Sequence, residues 1–357
     1  MIHFNQKGLL MKIWTLFAGM VLASTTSLSA FDLKNDISVV GGYQHGRFDQ
    51  TNFINLKSAG IFPAGGEQVD SVESRIDLGI VGIDGRLVMP HLDCCCNYPF
   101  LNNFYVTGHA IWGFSDGNKF SEETTANFPT GIPQPALYEN TKALATGKLK
   151  DAQTYDFEVG LGYFLDFSRL CYFSDILNGW ALGIEGGYSY HKQALKTKHG
   201  DLGVFSSVPL HGQFFEDFGG YNGTKYHNKW SGGWVGAELF YESCAWDIAL
   251  GYQYHIVEYK GINNTSATGL TQGLTDTSLH SNDAHGNVWT AKANYDVWCG
   301  WRIGAIFNYE YWHAKNGGWH LTAPHSTAEG FGTNDFNTSV DASWNAWSVA
   351  GTISYEF

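Results

Sequence analysis

The sequence predicts an all-β protein that crosses a membrane as an antiparallel up-and-down β-barrel of about ten strands, with twelve as the alternative count. Three observations predict this fold. Segments of about ten residues alternate apolar and polar side chains, as expected for strands between lipid and a lumen. Short and long connections alternate between these segments. Aromatic residues gather at the segment ends, including the final Phe357.

Composition supports twisted sheet rather than membrane helices. The chain contains 43 Gly, 8 Pro and 56 aromatic residues (13 Trp, 19 Tyr and 24 Phe), and its mean hydropathy is −0.19. No segment after the N-terminal region supplies the roughly 18 uninterrupted apolar residues that indicate a membrane-spanning helix. A bundle of membrane helices is therefore excluded.

The first thirty residues predict export. Lys7 and Lys12 precede an apolar run at 13–23, and small residues follow up to Ala30. This run of 11 residues is too short to span a bilayer as a helix, which takes about 20 residues. We therefore expect a signal peptide at 1–30 and a barrel at 31–357, and the alternative for the first segment is an N-terminal helix.

Five segments show the strand pattern clearly and five show it more weakly. The clear segments are 155–165, 180–190, 246–256, 301–311 and 347–357, and the weaker ones are 37–46, 75–89, 104–114, 231–241 and 287–297. In the segment 75–89 the alternation fails near Gly82, because Asp84 and Arg86 would otherwise face lipid. A β-bulge at Gly82 would reset the phase.

The connections fall into two classes of length. Four are short (93–99, 168–179, 242–245 and 298–300) and five are long (47–74, 115–153, 192–230, 260–286 and 314–343). Bacterial outer-membrane barrels have short periplasmic turns and long external loops. Together with the predicted signal peptide, this pattern predicts a bacterial outer-membrane location.

Aromatic residues at the strand ends predict two girdles, because Trp and Tyr collect where a membrane-spanning segment meets the lipid headgroups. The members expected at the short-turn end are Trp180, Trp246, Trp301 and Phe357, and those at the opposite end are Tyr188, Tyr190, Tyr254, Tyr309 and Tyr311. A soluble β-sandwich also alternates aromatic and polar residues, but it gives no reason for two girdles.

Charged residues on the opposite faces of these strands should line the lumen. The expected set is Asp156, Glu158, Glu185, Glu238, Asp247, Lys292, Arg302 and Glu310. These groups either pair across a closed lumen or line a narrow path that favours cations. The net charge is −13, and it becomes 19 − 34 = −15 once residues 1–30 are removed. This acidity argues against binding to nucleic acid.

All six cysteines lie in predicted short turns. They are Cys94, Cys95, Cys96, Cys171, Cys244 and Cys299. The predicted topology places them in the oxidising periplasm, where disulfides persist. Two interpretations remain open: covalent linkage to other envelope proteins, and pairing between turns of the same chain. Their spacing does not offer the paired ligands of a zinc site.

Several stretches resemble the omptin family of outer-membrane barrels. They are NDISVVGGYQHGRF (35–48), TYDFEVGLGYF (154–164) with WALGIEGGYSYH (180–191), and KWSGGWVGAELFY (229–241) with WDIALGYQY (246–254). Together with the closing ISYEF they cover most of the predicted mature chain. The cysteine-rich turns are also similar to outer-membrane proteins of chlamydia-like bacteria, and this similarity implies an envelope cross-linked by disulfides.

The omptin resemblance implies a protease in which an Asp-His pair on the seventh strand and an Asp pair across the cleft activate water. The matching Asp-x-His positions fall near Asn263 and Thr265, neither of which can act as a general base. The remaining candidates are Asp283 and His285, about twenty residues later, and Asp116, which supplies a single carboxylate. We therefore expect that the proteolytic site is not intact.

The sequence thus predicts a non-enzymatic outer-membrane protein with a porin-like or envelope-structural role. The alternatives are an omptin-type endopeptidase and a surface adhesin that uses the loops. We expect no cofactor and no metal, because the histidines of the last two long loops lack the spacing of a metal motif. The expected partners are outer-membrane lipid, envelope proteins linked through disulfides, and small solutes if the barrel is a pore.

Overall fold

The computed structural model describes residues 35–55, 67–88, 103–115, 118–127, 141–167, 179–208, 212–221, 225–243, 245–264, 276–322 and 334–357. Nearly all of them lie in twelve strands. The strands are β1 (Asp36–Asn55), β2 (Glu67–Val88), β3 (Phe104–Ser115), β4 (Asn118–Asn127), β5 (Thr141–Asp166), β6 (Trp180–Val208), β7 (Gly212–Tyr221), β8 (Lys225–Glu242), β9 (Trp246–Asn264), β10 (Asp276–Trp298), β11 (Trp301–Thr322) and β12 (Asn334–Glu356). No helix among these residues is long and apolar enough to cross a bilayer.

The strands close into a barrel with ten strand positions. Strand β1 pairs antiparallel with β2 on one side and with β12 on the other, which closes the ring. Strands β3 and β4 both lie between β2 and β5 and occupy one position in succession. Strand β7 pairs with the C-terminal part of β6, along the same edge of β6 as β8, and so adds no further position. The predicted antiparallel barrel of ten strands is therefore confirmed.

The strands are longer than the sequence predicted. The connection expected at 192–230 contains the rest of β6, which runs to Val208, and the whole of β7. Similarly, β1 continues to Asn55 and β2 begins at Glu67, so that most of the connection expected at 47–74 is paired strand. These predicted boundaries are wrong because neighbouring strands continue to satisfy each other's backbone groups beyond the apolar part of the barrel.

An apolar band surrounds the barrel next to its short turns. Side chains such as Val39, Ile83, Leu250 and Ile353 point outward and are more than half exposed. On β9 the outward apolar residues run from Trp246 to Ile256, which matches the 9–11 residues that a tilted strand needs to cross a bilayer. We call the end with the short turns the short-turn end and the opposite end the loop end.

The polarity of both faces inverts along a strand where the apolar band ends. In the band, β2 points Val81 and Ile83 outward. Closer to the loop end its outward residues are charged, and Arg75 pairs with Glu73 at 3.1 Å. The inward residues change in the opposite sense. They are Asp84 and Arg86 inside the band, and Ile76, Leu78 and Ile80 beyond it.

The predicted β-bulge at Gly82 is wrong. The β1–β2 register is unbroken from Asp36↔Arg86 to Asn55↔Glu67, and the β2–β3 register is unbroken as well. The alternation keeps its phase, and only the chemistry of the two faces changes. The physical reason is that the barrel extends beyond the bilayer, where water contacts its outer face and the inward side chains pack into an apolar core.

Candidate functional site in the barrel lumen

The lumen at the short-turn end is organised around one guanidinium group. Arg302 contacts Asp296 at 2.7 Å, Glu356 at 2.7 Å and Asp247 at 3.0 Å. The Arg302 side chain is mostly buried, whereas Asp296 is partly exposed. Three carboxylates on one arginine leave a local acidic excess at this entrance.

Two further ion pairs cross the middle of the lumen. Arg86 contacts Glu238 at 2.6 Å, and its guanidinium carbon lies 4.4 Å from the ring centroid of Phe240. Lys292 contacts Asp84 at 2.9 Å. Each pair joins strands on different sides of the barrel. Both pairs are nearly buried, so each charge depends on its partner for compensation.

Two carboxylates next to these ion pairs accept hydrogen bonds from neutral groups. The Tyr105 hydroxyl donates to Glu185 over 3.2 Å, and the Gln253 amide donates to Glu158 over 2.6 Å. Both glutamates are buried. The acidic side chains therefore outnumber the arginine and lysine side chains in the described part of the lumen.

Asp156, His191 and Glu310 form a cluster farther along the lumen toward the loop end. The Nδ1 atom of His191 lies 3.9 Å from an oxygen of Asp156 and 3.9 Å from an oxygen of Glu310. The imidazole of His109 approaches Asp156 to 3.5 Å. The Trp312 indole donates to Glu310 over 3.3 Å. The cluster thus combines two acidic and two imidazole side chains with one indole donor.

Beyond this cluster, large aromatic side chains fill the lumen. We call Phe48, Trp230, Tyr259, Trp312 and Trp344 the aromatic layer, and each is 2% exposed or less. The ring centroids of Trp230 and Tyr259 are 4.9 Å apart, and those of Phe48 and Trp230 are 6.3 Å apart. The layer therefore closes the lumen at the loop end in this conformation.

Two small cavities lie in series along the charged part of the lumen. The first, of about 70 Å³, reaches Arg302 near the short turns. The second, of about 60 Å³, is bordered by Glu158 and Glu310. Asp84 and Lys292 line both cavities. Each is larger than the roughly 10–15 Å³ that one water requires, so one ion pair separates two spaces of water size.

The barrel has a fold known from a solved outer-membrane protein. The outer membrane protease OmpT from Escherichia coli superposes with a TM-score of 0.63 at 14% sequence identity, covering 94% of this chain and 100% of that chain. The translocator domain of the autotransporter NalP from Neisseria meningitidis also matches, with a TM-score of 0.30, 10% identity and coverage of 99% and 98%. At these identities, the likeness to OmpT shows the fold alone.

The family is decided by sequence. The family described as Protochlamydia outer membrane protein (Pom) matches residues 86–357. The chain belongs to the Pom family. It is therefore an outer-membrane protein, and its apolar band contacts the lipid of that membrane. No curated protein sequence matches this Pom chain.

The eight charged residues singled out from the sequence all lie on inward-facing positions of their strands. Glu158, Glu185, Glu238, Arg302 and Glu310 are buried. Asp156, Asp247 and Lys292 are partly buried. The sequence did not identify their partners. That set omits four inward-facing residues: His109, His191, Asp84 and Arg86. Each is polar and alternates with outward apolar neighbours on its strand, and this pattern could have identified them.

The two protease candidates of this Pom chain that the structure describes do not face the lumen. His285 stands beside Tyr254 and His313 on the outward side of β10, with ring centroids 6.2 Å and 5.8 Å away. Asp283 is exposed, next to an irregularity between Ser281 and Ala284. Asp116 lies outside the described residues. Asp283 and His285 therefore lie outside the lumen that the described strands enclose.

Most of the predicted girdle residues lie close to an aromatic or cationic side chain. At the short-turn end, the ring pairs are Trp180–Tyr241 at 4.9 Å, Trp246–Tyr295 at 4.8 Å, Trp301–Tyr355 at 5.2 Å and Tyr355–Phe357 at 6.4 Å. Toward the loop end, Tyr309 lies 5.5 Å from Trp289, Tyr311 lies 6.0 Å from His313, and Lys229 stands 4.7 Å from the ring of Tyr190. Tyr188 and Tyr254 point outward and are exposed.

One of the six cysteines lies in the described part of the chain. Cys299 is exposed in the tight turn between β10 and β11, with a φ of 40°, and Gly300 follows with a φ of 80°. The positions 94–96, 171 and 244 lie outside the described residues. The structure therefore leaves the predicted disulfides untested.

Proposed function

We propose that this Pom barrel is a porin-like protein of small conductance that passes small cations through its lumen. One observation carries the proposal: ionisable side chains with an acidic excess border two water-sized cavities in series inside a membrane barrel. Charged groups within a membrane-spanning structure are costly and usually mark a pathway or a binding site. A lumen that only had to be filled is more cheaply filled by apolar side chains.

The expected path is narrow and interrupted. The Lys292–Asp84 ion pair separates the two cavities, and Trp312 borders the second cavity, the one nearer the loop end. Conduction therefore requires the ion pair to rearrange and the aromatic layer to move. This requirement favours a small, gated conductance over a wide diffusion pore. The strand number points the same way, because ten strands enclose less space than the sixteen to eighteen strands of a water-filled porin.

Planar bilayers test this proposal. We expect the purified protein to give small steps of current, with a reversal potential in a KCl gradient that indicates preference for potassium. Glu158→Gln should shift this potential toward zero, because it removes a lumenal carboxylate. The matched control is Glu258→Gln, which removes an exposed carboxylate from β9 and should leave the potential unchanged.

The aromatic layer supplies a second variant for the same measurement. Trp312→Ala should increase the conductance, because the Trp312 side chain borders the second cavity on the side of the aromatic layer. Absence of current from both the unaltered protein and Trp312→Ala would overturn the pore proposal, provided that both migrate as folded barrels on unheated gels.

An envelope-structural role is the second candidate, and the exposed thiol of Cys299 at the short-turn end favours it. In this case, envelopes prepared with a thiol-blocking reagent should contain the protein in larger species that reductant dissolves. Cys299→Ser should reduce these species. The same proposal includes removal of residues 1–30 on export, which N-terminal sequencing of the mature protein tests.

A further inference from the structure

Three strands bring potential metal ligands together between the second lumenal cavity and the aromatic layer. Asp156 lies on β5, His191 on β6 and Glu310 on β11. One ligand atom from each residue lies within 4.8 Å of the other two. His191 is 1% exposed and Glu310 is 5% exposed. This arrangement is invisible in the sequence, because the three residues are far apart along the chain.

The imidazole of His191 points an unsatisfied atom into this cluster. Its Nδ1 is buried and makes no hydrogen bond. The separations of 3.9 Å to Asp156 and to Glu310 are longer than the roughly 2.7–3.2 Å of a hydrogen bond. A buried polar atom without a partner is costly and rare. The Nδ1 atom of His191 is therefore available to bind a group placed between the three residues.

The surroundings can hold the imidazole in the tautomer that binds a metal through Nδ1. His191 Nε2 lies 3.4 Å from the amide nitrogen of Gln193, and the amide oxygen of Gln193 has no partner. Turning that amide by half a rotation lets Nε2–H donate to the oxygen, which leaves a lone pair on Nδ1. The Trp312 ring stacks on the imidazole at 5.5 Å. Such outer contacts commonly orient metal-binding histidines.

The charge of the cluster also requires compensation. Glu310 is buried and Asp156 is partly buried, and Glu158 lies close by along the same cavity. The arginine and lysine side chains of the described lumen contact other carboxylates. The His109 contact with Asp156 at 3.5 Å supplies at most one positive charge. A divalent cation would compensate both carboxylates at once.

We propose that Asp156, His191 and Glu310 bind one divalent transition-metal ion, with Zn²⁺ as the best match. One imidazole and two carboxylates form a ligand set that suits this class of ion. Ligands at about 2.0–2.2 Å from zinc lie about 3.4 Å apart in a tetrahedral site. The three side chains therefore need to move by less than about 1 Å from their present separations. Asp156 and Glu310 also border the cavity of about 60 Å³, which has room for a water as a fourth ligand.

This site goes beyond the proposed conduction and does not depend on it. A bound metal ion would link β5, β6 and β11 inside the barrel, whether or not the lumen conducts ions. Metal content is therefore measured without any current, so that failure of the pore proposal and failure of the metal proposal are separate results.

The experiment measures zinc in the folded, purified full-length barrel. The protein is refolded in detergent with Zn²⁺, dialysed against a chelator that removes surface metal, and analysed by mass spectrometry for zinc per chain. We expect about one equivalent in the unaltered protein and its loss in His191→Ala and in Glu310→Gln. Co²⁺ in place of Zn²⁺ should give visible absorption bands in the unaltered protein and none in these variants.

The outward-facing histidines of β10 and β11 provide the matched control. The ring centroids of His285 and His313 lie 5.8 Å apart on the outer surface. These two histidines therefore test whether zinc binds to a surface pair instead of the lumenal cluster. The double variant His285→Ala, His313→Ala should keep the zinc and the cobalt spectrum.

Three outcomes would overturn the proposal: no retained zinc in the folded parent, unchanged zinc in both lumenal variants, or loss of zinc in the surface double variant. Far-UV circular dichroism and gel migration of unheated samples establish that each variant is folded. Glu310→Gln keeps the shape of the side chain, so that it remains informative if His191→Ala does not fold.

Discussion

The lumen of this barrel has two parts that are stabilised differently. Near the short turns, the interior is held by ion pairs such as Arg86–Glu238 and Lys292–Asp84. Toward the loop end, the interior is an aromatic core that includes Trp230 and Trp344. The outer surface changes in the opposite order, from apolar to charged. A single strand therefore has the polarity pattern of a membrane strand over one half of its length and the pattern of a soluble protein's strand over the other half.

The solvent around the outer face explains this difference. Inside the band the outer face contacts hydrocarbon, so polar side chains are confined to the lumen. Above the band the outer face contacts water, and the hydrophobic effect drives apolar side chains inward. The position of the membrane boundary, rather than the phase of the alternation, therefore sets which face of each strand is polar.

The largest effect is expected from removing a ring of the aromatic layer. Trp230 is 0% exposed, and Trp230→Ala should lower the free energy of unfolding by about 3–5 kcal/mol, since it leaves a cavity in a packed core. Trp289→Ala is the control, because Trp289 points to lipid from the band and leaves no cavity. Unfolding in urea, followed by tryptophan fluorescence and circular dichroism, measures both. Equal losses would contradict the idea that the loop end is packed like a soluble core.

The sequence predicts the barrel well because the pattern it relies on is local. Alternation between the two faces of a strand requires no knowledge of the partner strand, and it located all ten positions of the ring. The error at Gly82 has an equally physical origin. The expectation of a polar lumen along the whole strand made the apolar Ile76 and Leu78 on the inward face appear out of phase.

The site is predicted less well because its contacts join residues far apart in the chain. Glu310 is recognisable as an inward acid from the alternation alone. Its proximity to His191 and Asp156 depends on the diameter of the barrel and on how far each strand is displaced along its neighbour. Neither quantity can be read from one strand. The extension of β6 beyond residue 191 was missed for a similar reason, because it is stabilised by pairing with β5 and β8 and, from Gly200 onward, with β7.

The next largest effect tests the charged part of the lumen. Arg86→Met should lower the free energy of unfolding by about 3 kcal/mol, because it leaves the buried Glu238 without its counter-charge. Arg75→Met changes the same residue type on the same strand, where the Arg75 side chain is 64% exposed and pairs with Glu73. That variant should lose about 0–1 kcal/mol.

Replacing both partners of the buried pair sharpens this result. The double variant Arg86→Met, Glu238→Leu removes both members of this ion pair, so most of the lost stability should return. Urea unfolding of the three variants and the parent gives the comparison. If the double variant is no more stable than Arg86→Met, the cost does not come from an uncompensated charge.

The smallest effect compares two glycines of β1, one in each part of the barrel. A Cβ on Gly46 would overlap the Trp344 ring, whereas a Cβ on Gly41 would meet no atom within 4 Å. Gly46→Ala should therefore cost about 1–3 kcal/mol through overpacking of the aromatic layer. Gly41→Ala should change stability by less than about 0.5 kcal/mol, as expected for a surface position. Equal unfolding midpoints for the two variants would show that the aromatic layer yields to an added methyl group, and therefore that it is looser than a soluble core.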